Sequence, residues 1–414
     1  MPGDGSWKMR GVNLGSQFII EPWMAYDEFS SMGCGEQNDE WSCVQHLGQE
    51  AANAAFASHW NTWITQEDII EIASFGLNTV RIPVGFWIKE DLVLANESFP
   101  QGGLQYLDRI VGWCADAGLY VIMDLHGGPS GQTANQQFTG HSVSYPGWFT
   151  PFNYERTLQF LEWMTERILT NPSYKTVGTL EVMNEPAQAW EHPDLAADMV
   201  QNFYPQALAR VRAKEQSLGI SSDAALDVQY MSTAWGSGNP SSYLNDTISV
   251  SYDDHRYLKW DTSVTATRDG YIEAACNDNR GDVVVGEWSI AVADDVSNSP
   301  DFQIANATQA QIDWYQKYWA TQVAAYEKST GWIFWSWKCN WIGGTNDWRW
   351  CYQTAVEAGV TPKDASQAGA IAAQACANIG SDPGSNATVP ISSTRRLKRR
   401  EHEHIRRHKA HGHW

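Results

Sequence analysis

At 414 residues the chain is long enough for two or three ordinary domains, yet α/β barrels of this length fold as one unit. Its 43% hydrophobic and 18% charged residues mark a globular chain with a large core, and no run of 18 apolar residues occurs; wholesale disorder and a membrane-spanning helix are excluded. The formal net charge is -20, and the segment from Thr394 onward carries eight Lys/Arg against Glu401 and Glu403, a net of +6, so the rest holds about -26. A body that acidic repels nucleic acid and anionic membranes and sets no penalty on a neutral substrate.

Short apolar, β-branched runs alternate with helical patterns, as in parallel βαβ units. In chain order the predicted strands are Met9–Leu14, Asn78–Val84, Leu119–Leu125, Gly178–Asn184, Leu226–Met231, Ile248–His255, Val283–Trp288 and Gly331–Trp337. Helices are expected over Thr65–Phe75, Leu104–Ala117, Tyr154–Thr170, Met199–Leu218 and Gln309–Lys328. Eight strands with helices between them close into an α/β fold of the (β/α)8, or TIM barrel, type. The alternative is an open doubly wound sheet, but no G-x-G-x-x-G follows the first strand to favour it. One catalytic-size domain is expected over residues 1–381. From 382 to 414 a Ser/Pro/Gly/Asn-rich stretch and then a basic, His-rich end read as a disordered tail.

None of the seven cysteines forms a C-x-x-C pair, so zinc and redox motifs are not indicated. Cys34 with Cys43, and Cys339 with Cys351, lie in loop-like sequence and are expected to close short loops. Cys276 with Cys376 is expected to tie the C-terminal segment to the barrel, leaving Cys114, in an apolar helical stretch, as the odd buried thiol. Sequons at Asn96, Asn245, Asn306 and Asn386 are candidate N-glycosylation sites. With the cysteines they point to a secreted, extracellular protein. Met1 to Lys8 has no apolar core of a signal peptide, so the chain is read as starting near a mature end.

Residues at the C-terminal ends of barrel strands face the active site. Those ends supply Arg81, His126, Asn184 with Glu185, His255 with Tyr257, Glu287 and Trp337. Any one glutamate there has an ordinary structural reading, a loop ion pair. Two glutamates on separated strands, accompanied by two histidines, an arginine and an asparagine, instead match the need of glycosidic cleavage for one carboxyl to protonate and one to attack. Tryptophan, at 22 copies beside 16 Tyr, fits a sugar cleft as well as a core, because indole faces stack on the C–H faces of sugar rings.

The stretches RGVNLG (Arg10–Gly15), NTVRIPVGFW (Asn78–Trp87), DLHGGP (Asp124–Pro129), MNEP (Met183–Pro186), DDHRY (Asp253–Tyr257), VGEWS (Val285–Ser289) and WSWK (Trp335–Lys338) resemble glycoside hydrolase family 5, in that family's order. EPWM (Glu21–Met24), SMGCG (Ser31–Gly35) and YDDHRYLKW (Tyr252–Trp260) resemble more closely its fungal endo-1,6-β-glucosidases, relatives of the fungal exo-1,3-β-glucanases. The resemblance implies a retaining reaction with Glu185 as acid/base and Glu287 as nucleophile. On the residues themselves, Asn184 is expected to reach a sugar 2-hydroxyl, and Arg81 and Tyr257 to hold Glu287 ionised. His126 and His255 are expected to bind hydroxyls or tune the carboxyls, with Trp337 as the floor under the sugar. Glu185 must stay protonated, so burial and repulsion from Glu287 are expected to raise its pKa.

The exo relatives carry F-D-N-S-G after the third strand, where this chain has Gln136-Gln137-Phe138-Thr139-Gly140; loss of that aspartate favours endo action, while Glu21 is kept as a sugar contact. Further aromatic platforms are expected from Trp335, Trp341, Trp348 and Trp350. The expected partner is a β-glucan polysaccharide, acted on by a monomer, with no nucleic acid, membrane, metal or cofactor. A β-1,3-glucanase or β-1,6-galactanase on the same barrel is the enzymatic alternative. A non-catalytic carbohydrate-binding protein is the alternative of another class.

Overall fold

The predicted strand runs form in a computed structural model that describes residues 7–245, 247–340 and 347–379. The tail from residue 382, with Asn386, lies outside the described residues, as does Trp341. The strands are β1 (Met9–Asn13), β2 (Thr79–Gly85), β3 (Tyr120–Gly127), β4 (Val177–Glu181), β5 (Asp227–Met231), β6 (Val250–Arg256), β7 (Val284–Trp288) and β8 (Gly331–Phe334). All pair in parallel with their sequence neighbours, and β8 returns to β1, so the sheet closes as a barrel.

The helices are α1 (Tyr26–Ser31), α2 (Glu40–Leu47), α3 (Gln49–Thr62), α4 (Gln66–Ser74), α5 (Leu104–Asp116), α6 (Pro151–Thr170), α7 (Pro193–Asp198), α8 (Tyr204–Ser217), α9 (Arg268–Cys276), α10 (Gln309–Tyr326), α11 (Tyr352–Glu357) and α12 (Ala368–Ala377). Their starts are written in the chain. Thr65 with Asp68 and Thr308 with Gln311 form reciprocal caps at α4 and α10, and Thr150 caps α6 ahead of Pro151. The helix expected over Met199–Leu218 opens as a π turn, Met199–Phe203, before α8. Pro205 lacks the N–H that a regular turn needs there.

Three helices, α1 to α3, were not expected between β1 and β2. Helix α3 buries Ala52, Phe56, His59 and Trp60, and its many alanines leave no long stripe of large residues to read. Disulfides join Cys34 to Cys43 across α1 and α2, Cys276 of α9 to Cys376 of α12, and Cys339 to Cys351, with Cα separations of 5.2, 5.9 and 5.7 Å. Cys114 is the buried free thiol.

Side chains alternate faces along a strand, so every second residue enters the barrel. Met9, Ile122, Val284 and Ile333 form an apolar plug at the bottom, with Trp7 and Tyr120 packed against it. One step higher the inward set becomes polar: Asn13, Arg81, Asp124, Glu181 and Asp253, all fully buried. This polar layer is the floor of the mouth.

Candidate active site

Arg81 on β2 is the hub of that floor. A charge taken out of water costs on the order of several kcal/mol unless it is partnered, and a guanidinium offers five donors. Its Nε donates to Glu181 (2.9 Å), Nη1 to Asn13 (3.0 Å) and Glu287 (2.9 Å), and Nη2 to Asn184 (2.7 Å), with Asp124 at 3.1 Å. Burial alone would lower its pKa, but the carboxylates of Asp124, Glu181, Glu287 and Asp253 outweigh it and the net shift is upward. Arg81 stays charged.

Glu287 on β7 is re-aimed by a break in register, where His255 rather than Arg256 comes opposite it. The preceding Gly286 clamps this turn: its N–H donates to Asp253 (2.7 Å) and its carbonyl accepts from Asn13 (2.8 Å). Arg81 reaches one oxygen of Glu287, and the Tyr257 hydroxyl donates to the other at 2.8 Å. Burial raises the Glu287 carboxyl, and His255 and Arg81 pull it back; the net is upward. Burial and Glu287 itself push the Tyr257 phenol well up, so it remains a donor.

Glu185 stands beyond the end of β4, where Val182 and Asn184 still pair with Gln229 and Leu125 in an irregular extension. Its φ is +38°, a left-handed conformation that costs a non-glycine residue about 1–3 kcal/mol and clusters at functional sites. Glu185, expected to be buried, has a side chain that is 15% exposed, against 7% for Glu287. His255 Nδ1 lies 2.5 Å from Glu185 and 3.5 Å from Glu287, so one imidazole bridges both carboxyls.

The spacing D-x-H occurs in both β3 and β6, putting Asp124 beneath His126 and Asp253 beneath His255 on the inner face. The two histidines nevertheless differ in charge. Burial and then Arg81 drive the His126 pKa down to about 3, leaving it neutral, with Nδ1 2.6 Å from Asp124. Burial would also lower His255, but the carboxylates of Glu287 and Asp253 prevail and carry it well upward. Glu185, His255 and Glu287 place ligand-type atoms within 4.8 Å of one another, as do Glu181, Asp253 and His255. A protonated imidazole has no lone pair for a metal, so neither trio offers three ligands in this state.

One predicted contact is overturned. Trp337 is fully buried in the helix layer, donating to Asp68 of α4 (2.9 Å) and packing on Phe75, so it is no floor for a sugar. β8 ends at Phe334, after which Trp335 N–H pairs with Trp288 and Trp337 N–H crosses to Asn13. Trp335 takes the site position, its ring parallel to His126 at 5.6 Å. Trp348 also packs in the core, against Tyr315, whereas Trp350 reaches the mouth beside Trp23, Tyr257 and Trp260. Glu21 is buried, accepts from the Trp23 indole (2.8 Å) and feels both glutamates. Burial pushes its carboxyl up to about 8.

Several supporting residues escaped the sequence reading. Asn13, Glu181, Asp124 and Asp253 form the hub's shell. Gln132, fully buried, donates to the carbonyls of His126 (2.7 Å) and Asn184 (3.0 Å), tying the β3 and β4 loops together. The D-x-H repeat was the available signal for Asp124 and Asp253; nothing in the pattern marks Gln132.

Two carboxyls joined by one histidine over a charged barrel floor make a site built for cleaving glycosidic bonds, and the chain belongs to glycosyl hydrolase family 5. The family's sequence model, described as Cellulase (glycosyl hydrolase family 5), matches residues 44–340. Over 363 residues the chain is 50% identical to the glucan endo-1,6-beta-glucosidase B of Emericella nidulans, covering 87% of this chain and 86% of that one. It is 31% identical over 394 residues to a glucan 1,3-beta-glucosidase of Blumeria graminis, covering 86% and 87%. The rutinosidase of Aspergillus niger shares the fold, with a TM-score of 0.65 at 20% identity over 86% of this chain and 98% of that one.

Proposed function

We propose that the protein hydrolyses β-1,6-glucosidic linkages inside β-glucan chains with retention of configuration, using Glu287 as nucleophile and Glu185 as acid/base. The carrying observation is the Glu185–His255–Glu287 cluster, in which the facing oxygens of the two carboxyls approach within 4.8 Å, as fits the close pair of a retaining enzyme rather than the wider pair that makes room for an inverting water. The 50% identity to an endo-1,6-β-glucosidase supports the linkage. Gln137 supports endo action: its side chain accepts from the Trp23 N–H (3.2 Å), so the segment that carries an aspartate in exo relatives serves here to hold a loop.

In the first step Glu287 attacks the anomeric carbon as the glycosidic C–O bond breaks, and the proton of Glu185 passes to the leaving oxygen. Arg81 and Tyr257 hold the nucleophile ionised and aimed, and their hold relaxes as its charge is consumed in the new bond. Water then enters from the leaving-group side, gives its proton to Glu185 and bonds to the anomeric carbon as the bond to Glu287 breaks, releasing a β product and the Glu287 carboxylate. His255 keeps a positive charge between the carboxyls, which stabilises the carboxylate left on Glu185 once its proton has passed to the leaving oxygen.

Three disulfides fit an oxidising compartment, and we assign the protein as secreted and monomeric, with residues 1–381 as the catalytic domain and 382–414 as an accessory tail. Asn96, Asn245 and Asn306 are exposed and available for N-glycosylation. Digestion of linear β-1,6-glucan beside laminarin tests the reading. Short oligosaccharides early from the former and slow attack on the latter are expected; glucose as the sole early product, or faster laminarin cleavage, overturns it.

A further inference from the structure

We infer that Trp190, seated on Gly236, is a preformed stacking platform for the sugar on the leaving-group side of the cut. The inference rests on the role proposed for Glu185. That residue gives its proton to the leaving oxygen, so the sugar beyond that oxygen lies over the loops nearest Glu185. Those loops follow β4 and β5. Trp190 ends the short segment that Glu185 begins, and Trp235 meets His255 edge-on at 5.4 Å. The aromatics Trp335, Trp23 and Trp350 gather instead around His126, Glu21 and Tyr257, on the other side of the cut.

A single exposed aromatic needs no explanation by itself. Trp190 differs because its position is fixed. Gln188 Nε2 donates to the Trp235 carbonyl (2.8 Å) and Ala189 N–H to the Gly236 carbonyl (2.9 Å). Ser237 Oγ donates to the carbonyls of Pro186 and Ala187, both at 3.1 Å. The two loops are therefore zipped together. Gly236 has φ +103°, and a Cβ there would lie 1.9 Å from the Trp190 ring, so the indole rests on bare backbone. With one face on Gly236, the side chain is still 59% exposed, which leaves an indole face for a ligand. Holding that face in place before a sugar arrives removes an ordering cost from binding.

The test compares a β-1,6-linked glucohexaose, which places sugars on both sides of the cut, with β-gentiobiosyl fluoride, whose leaving group carries no sugar. In Trp190→Ala, kcat/KM on the hexaose should fall about tenfold relative to that on the fluoride, mostly through KM, as expected for one lost stacking contact. Trp190→Phe should recover most of the loss, and Gly236→Ala, which displaces the ring, should reproduce it. Equal losses on both substrates, or none on the hexaose, overturn the platform. The wild-type arm separately tests the linkage: if it cuts laminarihexaose instead, the β-1,6 reading fails and the same ratio, taken with laminaribiosyl fluoride, decides the platform.

Discussion

On one side of the mouth Glu287 is 7% exposed and gripped by Arg81 at 2.9 Å and Tyr257 at 2.8 Å; on the other, Glu185 is 15% exposed, rests on a left-handed backbone and meets His255. The first arrangement stabilises a fixed charge from below, through a hub that never leaves the protein interior. The second leaves a carboxyl in contact with solvent and with one ionisable neighbour, which suits the acid/base role proposed for it. A nucleophile needs an immobile environment, and an acid/base needs a proton route. The same contrast extends outward, from the buried Trp335 beside His126 to the open Trp190 rim.

The largest effect that sharpens this contrast comes from Glu287→Gln, which keeps shape and removes the attacking oxygen. Hydrolysis should fall by several orders of magnitude with the thermal transition still cooperative; retention of more than about a tenth of the rate would remove Glu287 from the mechanism. Glu185→Ala should lose about 10²–10⁴-fold on glucan and far less on substrates with good leaving groups. Azide should rescue it and give the β-glycosyl azide; an α product would mean inversion.

Next in size is the tryptophan pair. Trp335 is buried too, so Trp335→Ala should cost stability, but unlike Trp337→Ala it should also lower kcat/KM of the folded enzyme on glucan by about tenfold, within the range of a lost stacking contact. Trp337→Ala should cost about 3–5 kcal/mol of stability, as for other buried tryptophans, while the folded enzyme keeps its kcat. The reverse outcome would return the floor to Trp337. The smallest effect concerns Glu21. Its carboxyl is raised from 4.5 to about 8 in the folded state, so between those values the folded chain holds a proton that the unfolded chain has lost. Stability from this group therefore falls as pH rises from 4.5 to 8. Glu21→Gln should flatten that slope and raise the melting temperature at pH 8 relative to wild type; an unchanged slope between the two proteins would show that Glu21 is ionised throughout.

Most of the scaffold was legible because a parallel barrel buries both faces of each strand, and eight apolar runs such as Val283–Trp288 stand out against helical spacing. The site followed from one geometric rule, that strand ends face the mouth, which brought out Arg81, His126, Glu185, His255, Tyr257 and Glu287 together. The same rule failed at β8. Counting by twos along Gly331, Ile333, Trp335 and Trp337 is valid only while the strand lasts, and it stops at Phe334. Trp335 then takes the floor position expected of Trp337, which turns into the helix layer. The shell around Arg81 was hidden for a different reason: an acid such as Glu181, inside the predicted run Gly178–Asn184, carries no mark of its partner, which comes from β2, 100 residues earlier in the chain.

Gly286 sets a limit on how this enzyme can be altered by mutation. A methyl group at that position would lie 2.2 Å from the Asp253 carboxylate, in the gap through which the backbone holds the turn into Glu287. Any side chain there moves Asp253, the register of β6 against β7, and the aim of Glu287 at once. A library that randomises the neighbourhood of Glu287, the proposed nucleophile, should return mostly inactive clones at this codon, whereas the exposed rim around Trp190 can be varied without disturbing the floor. New substrate preferences on this scaffold are reached from the rim inward, and the inheritance of catalysis runs through a residue with no side chain.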